Sequence, residues 1–240
     1  MKIAIISDVH GNKKAMESVR DSLTENMDAV ILLGDMIDYG PHSNEVVGIL
    51  KQIKIPILCN IWGNHESAIV NNVYDRFSSE RGRESAKYTR NELNDETWQY
   101  LKNVMTNEGR YEFVVEGKKC LATHGSLQDE YWKAIKPEHY LEDYKDYDYV
   151  FSGHSHLPHV FENFYECNNL KMRNKKKTVF INPGSVGQPR NHNSCAQYAL
   201  LDTTTGEVQL KCILYDIKKE QMDFSNKISS FYRDRLEVGV

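Results

Sequence analysis

Cysteine is sparse and unpatterned in this 240-residue chain: Cys59, Cys120, Cys167, Cys195 and Cys212 are odd in number and widely spaced. No two form a CxxC pair, which argues against a zinc knuckle or a thioredoxin-like site. A reducing compartment is the simplest setting for them. Cys59, Cys120 and Cys212 lie in apolar runs and are expected to pack as small hydrophobes. Long apolar runs are also lacking. None approaches the roughly 20 residues that span a bilayer, and the run within Met1 to Asp8 is too short for a signal peptide. These readings place the protein in the cytoplasm with no membrane partner. A surplus of positive charge is missing too: 30 Lys and Arg stand against 34 Asp and Glu, a net −4. That argues against a stable nucleic-acid partner, whose footprint should be basic. An anionic small substrate stays open, because local metal charge can outweigh the global balance. There is no internal repeat and no convincing linker, so one domain over residues 1–240 is expected. The sequence is silent on oligomeric state.

The first half alternates strand and helix. Lys2 to Ser7, Ala29 to Leu33 and Ile57 to Ile61 read as strands. Helices are expected between them, from about Lys13 to Thr24 after Asn12 and from about Asn44 to Gln52. Such alternation implies βαβ units and a parallel sheet. Residues 66 to 104 are helical in pattern, with a polar break over Ser78 to Arg83 and a cap at Asn94-Asp95. The second half changes character. Glu116-Gly117, between Tyr111 to Val115 and Lys118 to Thr123, predicts a hairpin. Further strands are expected at Tyr149 to Ser152, Pro158 to Phe161, Thr178 to Asn182, Gln197 to Asp202 and Val208 to Tyr215. Ile217, Phe224, Ile228, Phe231 and Leu236 fit one terminal helix. The hairpin-rich half therefore predicts a second sheet packed on the first, in an α/β (α+β) arrangement with helices outside both. The basic stretch Asn168 to Lys177 reads as a solvated hairpin loop, ahead of an anion-steering rim. Glu130 to Tyr149, rich in Tyr and Trp, reads as a helix packed on the body, ahead of a stacking platform for bases.

Five polar blocks end five apolar runs: Asp8-Val9-His10, Gly34-Asp35, Gly63-Asn64-His65-Glu66, His124-Gly125 and Gly153-His154-Ser155-His156. Open α/β sheets bind ligands beyond the carboxyl ends of their strands, so distant blocks can converge on one edge. Taken singly, each has a bland reading. An Asp two before a His often meets no metal, and Asp35 could simply cap a turn. If the first block continues the strand, Asp8 and His10 share a face. Asp35 could bridge two cations about 3.5–4 Å apart through its two oxygens. Glu66, at a helix start, suits the macrodipole and reads as structural or as an orienting partner for His65. Together Asp8, His10, Asp35, Asn64, His124, His154 and His156 offer oxygen and nitrogen donors without sulfur. Such a set suits two divalent ions, Mn, Fe or Zn, with manganese first. The concurrence of five blocks carries the conclusion.

These blocks, with Gly34-Asp35-x-x-Asp38-x-Gly40, resemble the calcineurin-like metallophosphoesterase signature, in the family's order from Asp8 to about Gln188. The resemblance implies a metallophosphatase-like sandwich of two mixed β-sheets flanked by helices. It implies that Asp8, His10, Asp35 and His156 hold one metal, that Asp35, Asn64, His124 and His154 hold the other, and that His65 is catalytic. Phosphoprotein phosphatases of the family carry arginines where this chain has Tyr39 and Trp62. Gly153-His154-Ser155-His156 and Asn182-Pro183-Gly184-Ser185 look more like the small prokaryotic phosphodiesterase-type members. Arg190 and His192 just beyond could meet the substrate. The activity expected is hydrolysis of a small phosphodiester or nucleotide-type phosphate ester by a hydroxide bridging the two metals. A phosphoprotein phosphatase or a dinucleoside polyphosphate hydrolase is the alternative among enzymes. A non-catalytic scaffold of the same fold is the alternative of another class, and the complete donor set speaks against it.

Overall fold

The computed structural model describes residues 1–23, 26–139 and 141–240. In chain order the strands are β1 (Lys2–Ile6), β2 (Ala29–Leu32), β3 (Ile57–Asn60), β4 (Arg110–Val115), β5 (Lys118–Thr123), β6 (Tyr149–Ser152), β7 (His159–Phe164), β8 (Lys177–Asn182), β9 (Ala196–Asp202) and β10 (Glu207–Ile213). The helices are α1 (Lys13–Ser22), α2 (Ser43–Lys51), α3 (Asn64–Asn71), α4 (Glu80–Glu92), α5 (Asp95–Asn103), α6 (Ile217–Met222) and α7 (Ser230–Asp234). Two mixed sheets of five strands form, ordered β10-β9-β1-β2-β3 and β4-β5-β6-β8-β7. Each has a parallel block, β1-β2-β3 at one edge of the first sheet, with antiparallel β9 and β10 beyond β1, and β5-β6-β8 at the centre of the second, with antiparallel β4 and β7 outside. Side chains alternate across each strand, and both faces are apolar because both are covered. Ile3, Ile5 and Ile31 meet Ala122, Phe151 and Ile181 between the sheets. Ala4, Ile6, Val30 and Leu32 on the opposite face lie under α1 to α5. Leu121, Val150 and Phe180 on the outer face of the second sheet are covered by Ile135, Tyr144 and Tyr147.

The expected sandwich is present, and several details differ. Strands β9 and β10 come from the second half yet join the first sheet, β9 against β1 and β10 against β9, so the sheets do not divide at mid-chain. The helical stretch does break, over residues 72–79 and so earlier than the expected Ser78 to Arg83: Ser79 accepts from the Gly82 amide and starts α4, which takes in Glu80 to Arg83. The terminal helix is two helices. Between them the Ser225 hydroxyl and carbonyl take the amides of Lys227 and Ile228, satisfying the backbone locally and interrupting the helix. The expected end of α1 at Thr24 lies outside the described residues. Glu130 to Tyr149 forms turns and a short 3₁₀ segment, Glu142–Tyr144, where a helix was expected; Tyr140 lies outside the described residues. Asn168 to Lys177 is an exposed turn region, as expected of a loop. Cys59 and Cys120 are buried, but Cys212 is exposed on β10, an edge strand. Among the described residues no helix is long and apolar enough to cross a membrane.

Helix α1 follows the Asp8–His10 block, and its start is fixed twice. Asn12 accepts from the Ala15 amide at 3.0 Å. The buried carboxylate of Glu220, on α6, accepts from the amides of Lys13 and Lys14 at 3.2 and 3.0 Å. His42 Nδ1 lies 2.9 Å from the same carboxylate, and its Nε2 lies 3.2 Å from Asp223. Two acceptor-only partners require both ring nitrogens to donate, which favours the imidazolium. Burial opposes that charge, but Glu220, Glu45 and Asp223 prevail and raise the His42 pKa above its ordinary value. A raised folded-state pKa stabilises fully below the unfolded value of about 6.5 and fades as pH rises through the folded value. The unfolding free-energy gap between wild type and His42→Gln should therefore be larger at pH 6 than at pH 9 in urea titrations. A gap independent of pH would refute this linkage. Glu220→Ala should cost about 2–3 kcal/mol, because charge-assisted bonds and a helix cap are lost together.

Candidate functional site

Strands β1, β2, β3, β5 and β6 each run into one of the five blocks within three residues of their carboxyl ends. The blocks meet at one edge. Asp8 and His10 do not share a face through strand alternation, since β1 ends at Ile6. Both sit at left-handed φ (54° and 50°), as do Asp35 (54°), His154 (63°) and His156 (57°). Each such residue costs about 1–3 kcal/mol, so the surroundings must hold it. Ser7 Oγ donates to Asp8 Oδ2 at 2.6 Å, and Ser185 Oγ to the Asp8 carbonyl at 2.7 Å. Asn182 Nδ2 donates to the Gly153 carbonyl at 2.9 Å. Glu66, fully buried, accepts from the amides of Asp35, Met36 and Gly63 at 2.7–2.8 Å. It thus orients the Asp35 loop, not His65. Gly63 leaves room here, since a Cβ on it would stand 2.2 Å from Asp35 Oδ1.

The donors fall into two sets. Asp8, His10, Asp35 and His156 offer one atom each within 4.8 Å of one another, and so do Asp35, His124 and His154. Asp35 belongs to both. His156 Nε2 lies 3.2 Å from Asp8 Oδ1 and 3.1 Å from His10 Nε2. Asn64 Oδ1 joins the second set, 3.0 Å from His124 Nε2 and 2.9 Å from His154 Nδ1. His124 and His156 donate Nδ1–H to the carbonyls of Leu33 (2.7 Å) and Gln188 (2.5 Å). Carbonyls only accept, so in each neutral ring the Nε2 lone pair faces the cluster, as a metal ligand requires. Asp8 Oδ1 is buried with no hydrogen-bond partner, and a buried anionic oxygen left so needs a cation. These observations fit two divalent ions.

Burial and His65 hold His10 well below the ordinary imidazole range, and burial and Arg190 lower His156. Burial and His124 push His154 down to about 3. Burial acts the same way on His124, yet Asp35 outweighs it and lifts that ring to about 9. Against burial, His124 and His65 keep Asp35 well below the usual carboxylate range. The pattern is anionic carboxylates among mostly neutral imidazoles.

His65 faces the same space. Its Nδ1 lies 2.6 Å from Asp38 Oδ2, its Nε2 3.9 Å from Asp35 Oδ2, and its amide donates to Asp35 Oδ1 at 2.9 Å. Ser85 and Thr89 of α4 donate to Asp38 Oδ1 at 2.6 and 2.8 Å. The sequence reading gave Asp38 no role; the x-x spacing after Asp35 was the available signal. A cavity of about 460 Å³ opens here, lined by Asp35, Asn64, His65, His154 and His156. Tyr39, Phe77, Ser78, Trp132, Arg76 and Arg190 complete its wall. Trp132, from the Tyr- and Trp-rich stretch, thus reaches the site. His192 does not line the cavity; its amide donates to the Gly239 carbonyl at 2.8 Å. A larger cavity, about 510 Å³, lies at the amino ends of β5, β6 and β8 and includes Lys176 and Lys177. Those lysines pair with Asp146 and Glu162, away from the donor blocks, so the basic loop does not rim the site.

A family model described as the calcineurin-like phosphoesterase superfamily domain matches residues 1–206, and the chain belongs to that family. It is 29% identical over 99% of its length to an uncharacterized protein of Methanocaldococcus jannaschii, covering 98% of that protein. Among solved structures it resembles a metallophosphoesterase from Sphaerobacter thermophilus, at 26% identity, TM-score 0.75 and full coverage of both chains. A hypothetical protein from Pyrococcus horikoshii OT3 shares the fold at 18% identity and TM-score 0.79, with 100% of this chain and 98% of that chain covered. Members of the family generally bind two divalent metals. Purified protein should accordingly carry two divalent ions per chain by elemental analysis, and Asp35→Asn should empty or scramble both positions. Unchanged stoichiometry in that variant would count against a shared carboxylate.

Proposed function

We propose that this chain is a metal-dependent phosphodiesterase acting on a small phosphate ester or nucleotide. Asp8, His10, Asp35 and His156 would hold one cation, and Asp35, Asn64, His124 and His154 the other. The observation that supports this most is the pair of donor sets meeting at one buried carboxylate, beside the His65–Asp38 pair. Manganese, iron or zinc suits the oxygen and nitrogen donors, manganese first. Bound there, the pair would supply Lewis acidity toward phosphoryl oxygens and ease ionisation of an attacking water.

The remaining chemistry belongs to the side chains. Asp38 takes Nδ1–H of His65, which fixes the ring and turns Nε2 to the cavity. From there Nε2 donates a proton to the leaving alkoxide, or holds a phosphoryl oxygen. Ser85 and Thr89 occupy the other oxygen of Asp38 and keep it aimed. Tyr39 lies between the rings of His10 (4.7 Å) and Tyr232 (4.1 Å). Trp62 is buried, its indole N–H on the Leu101 carbonyl at 2.8 Å. Neither offers the cation that clamps a terminal phosphate dianion, and a diester has no such group. The five unpaired cysteines support a cytoplasmic setting.

A panel of bis-aryl phosphate, mono-aryl phosphate, phosphopeptide and dinucleoside tetraphosphate tests the class; the bis-aryl ester should turn over fastest. Preference for the phosphopeptide would overturn the diester reading. His65→Ala should keep its metal content and lose about 10²–10⁴ in kcat, with Asp38→Asn losing part of that. Undiminished turnover in His65→Ala would remove the histidine from the mechanism.

A further inference from the structure

We propose that Arg76 and Trp132 form a stacking platform beside the donor cluster, and that a group esterified to the phosphate carries a planar aromatic ring, a nucleobase or an aryl group, laid against it. This rests on the phosphoesterase reading for the scissile group and adds what the rest of the substrate carries.

Both residues line the cavity that holds Asp35, Asn64, His65 and His154. They come from separate segments: Arg76 lies between α3 and α4, and Trp132 in the turns after β5. The guanidinium carbon of Arg76 stands over the Trp132 ring, 5.3 Å from its centroid. Asp129 holds the two together. Its Oδ1 accepts from Arg76 Nη1 at 3.4 Å and its Oδ2 from Nη2. The same Oδ1 accepts from the amides of Tyr131 and Trp132 at 3.3 and 3.1 Å. A two-point contact sets the plane of a guanidinium as well as its position. The turn bearing Trp132 is also tied to the metal edge. Gly125, next to His124, donates its amide to the Glu130 carbonyl at 2.7 Å, and the Ser126 amide donates to the Asp129 carbonyl at 3.0 Å.

The other aromatic residues of the cavity have their rings engaged. Tyr39 is covered by His10 and Tyr232. Phe77 is 4% exposed and meets the rings of His65 and Trp132 at steep angles, 5.0 and 5.1 Å away. Trp132 is half-buried, and the Arg76 side chain above it is 54% exposed. The Trp132 ring lies 6.4 Å from that of His154, so the platform begins one ring beyond the second donor set. Neither residue serves the proposed hydrolytic chemistry. Asp129 already answers the Arg76 charge, which makes Arg76 a poor clamp for a phosphate dianion but leaves its planar face for stacking. Bases stack on indole rings and guanidinium planes alike, because every base has a π-face.

Calorimetric titration of the metal-loaded, full-length protein with two matched pairs of ligands tests the platform. One pair is adenosine 5′-monophosphate and ribose 5-phosphate; the other is phenylphosphonate and methylphosphonate. Within each pair the anion is the same and only the ring differs. In at least one pair the ring-bearing member should bind about 5-fold tighter or more, the low end of one base–aromatic stack. The pair that shows the gap tells a nucleobase from an aryl group. The gap should close in Trp132→Leu and stay largely intact in Trp132→Phe. Arg76 is exposed, so Arg76→Lys should fold normally, and it should narrow the gap by keeping the charge without the plane. A clamp that merely braced two loops would weaken both members of a pair together and leave their ratio unchanged. Equal affinities within both pairs in wild type, or a gap that survives both Trp132→Leu and Arg76→Lys, would overturn the platform. The readout is binding, so an inert hydrolysis panel counts against the esterase reading alone, and a missing gap against the platform alone.

Discussion

Asp35 is buried to 1% exposure beside a second buried carboxylate, Asp8, and its charge has to be answered inside the protein. Taking a carboxylate from water costs several kcal/mol unless donors or cations replace the lost hydration. The fold supplies those answers in layers. The His65 amide donates to one oxygen at 2.9 Å, while His124 and His10 face the other at 3.3 and 3.7 Å. Glu66 holds the Asp35 peptide itself. A site built this way has its donors in place before a cation arrives, which is what preorganisation means for a metal centre.

Backbone strain is the cost of that arrangement. Five of the seven proposed ligands sit at left-handed φ. Asp and His enter that region more readily than most residues, and here short hydrogen bonds from Ser7 and Ser185 hold Asp8, while the amides of Asp35 and Met36 donate to Glu66 and hold Asp35. The fold concentrates strain where the chemistry is and offsets it with two continuous apolar layers. Helix α1, which follows the first block, is capped by Glu220 from the C-terminal segment. The last helices thus steady the first loop of the site.

Much of this was legible in the sequence, for identifiable reasons. Apolar runs with both faces buried mark β1, β2 and β6 clearly, and the block after each strand end announces the donors. Glu116-Gly117, with φ of 48° and 76°, forms the expected hairpin turn. Pairings between distant strands were not legible: nothing local in Ala196–Asp202 says that it will lie against β1. The pairing of Asp8 with His10 was foreseen for the wrong reason, because side-chain alternation ends where the strand does. Asp38 was visible as a spacing but not as the partner of His65, since its helping hydroxyls lie on α4, far along the chain. Tyr232, which stacks on Tyr39, was not among the positions that marked the terminal helix.

All of these features bear on the proposal that Asp35 is shared between two cations. Anomalous diffraction from crystals grown with manganese tests that most directly. The account expects two peaks about 3.5–4 Å apart, one on each side of the Asp35 carboxylate. A single peak, or peaks away from Asp35, would contradict it.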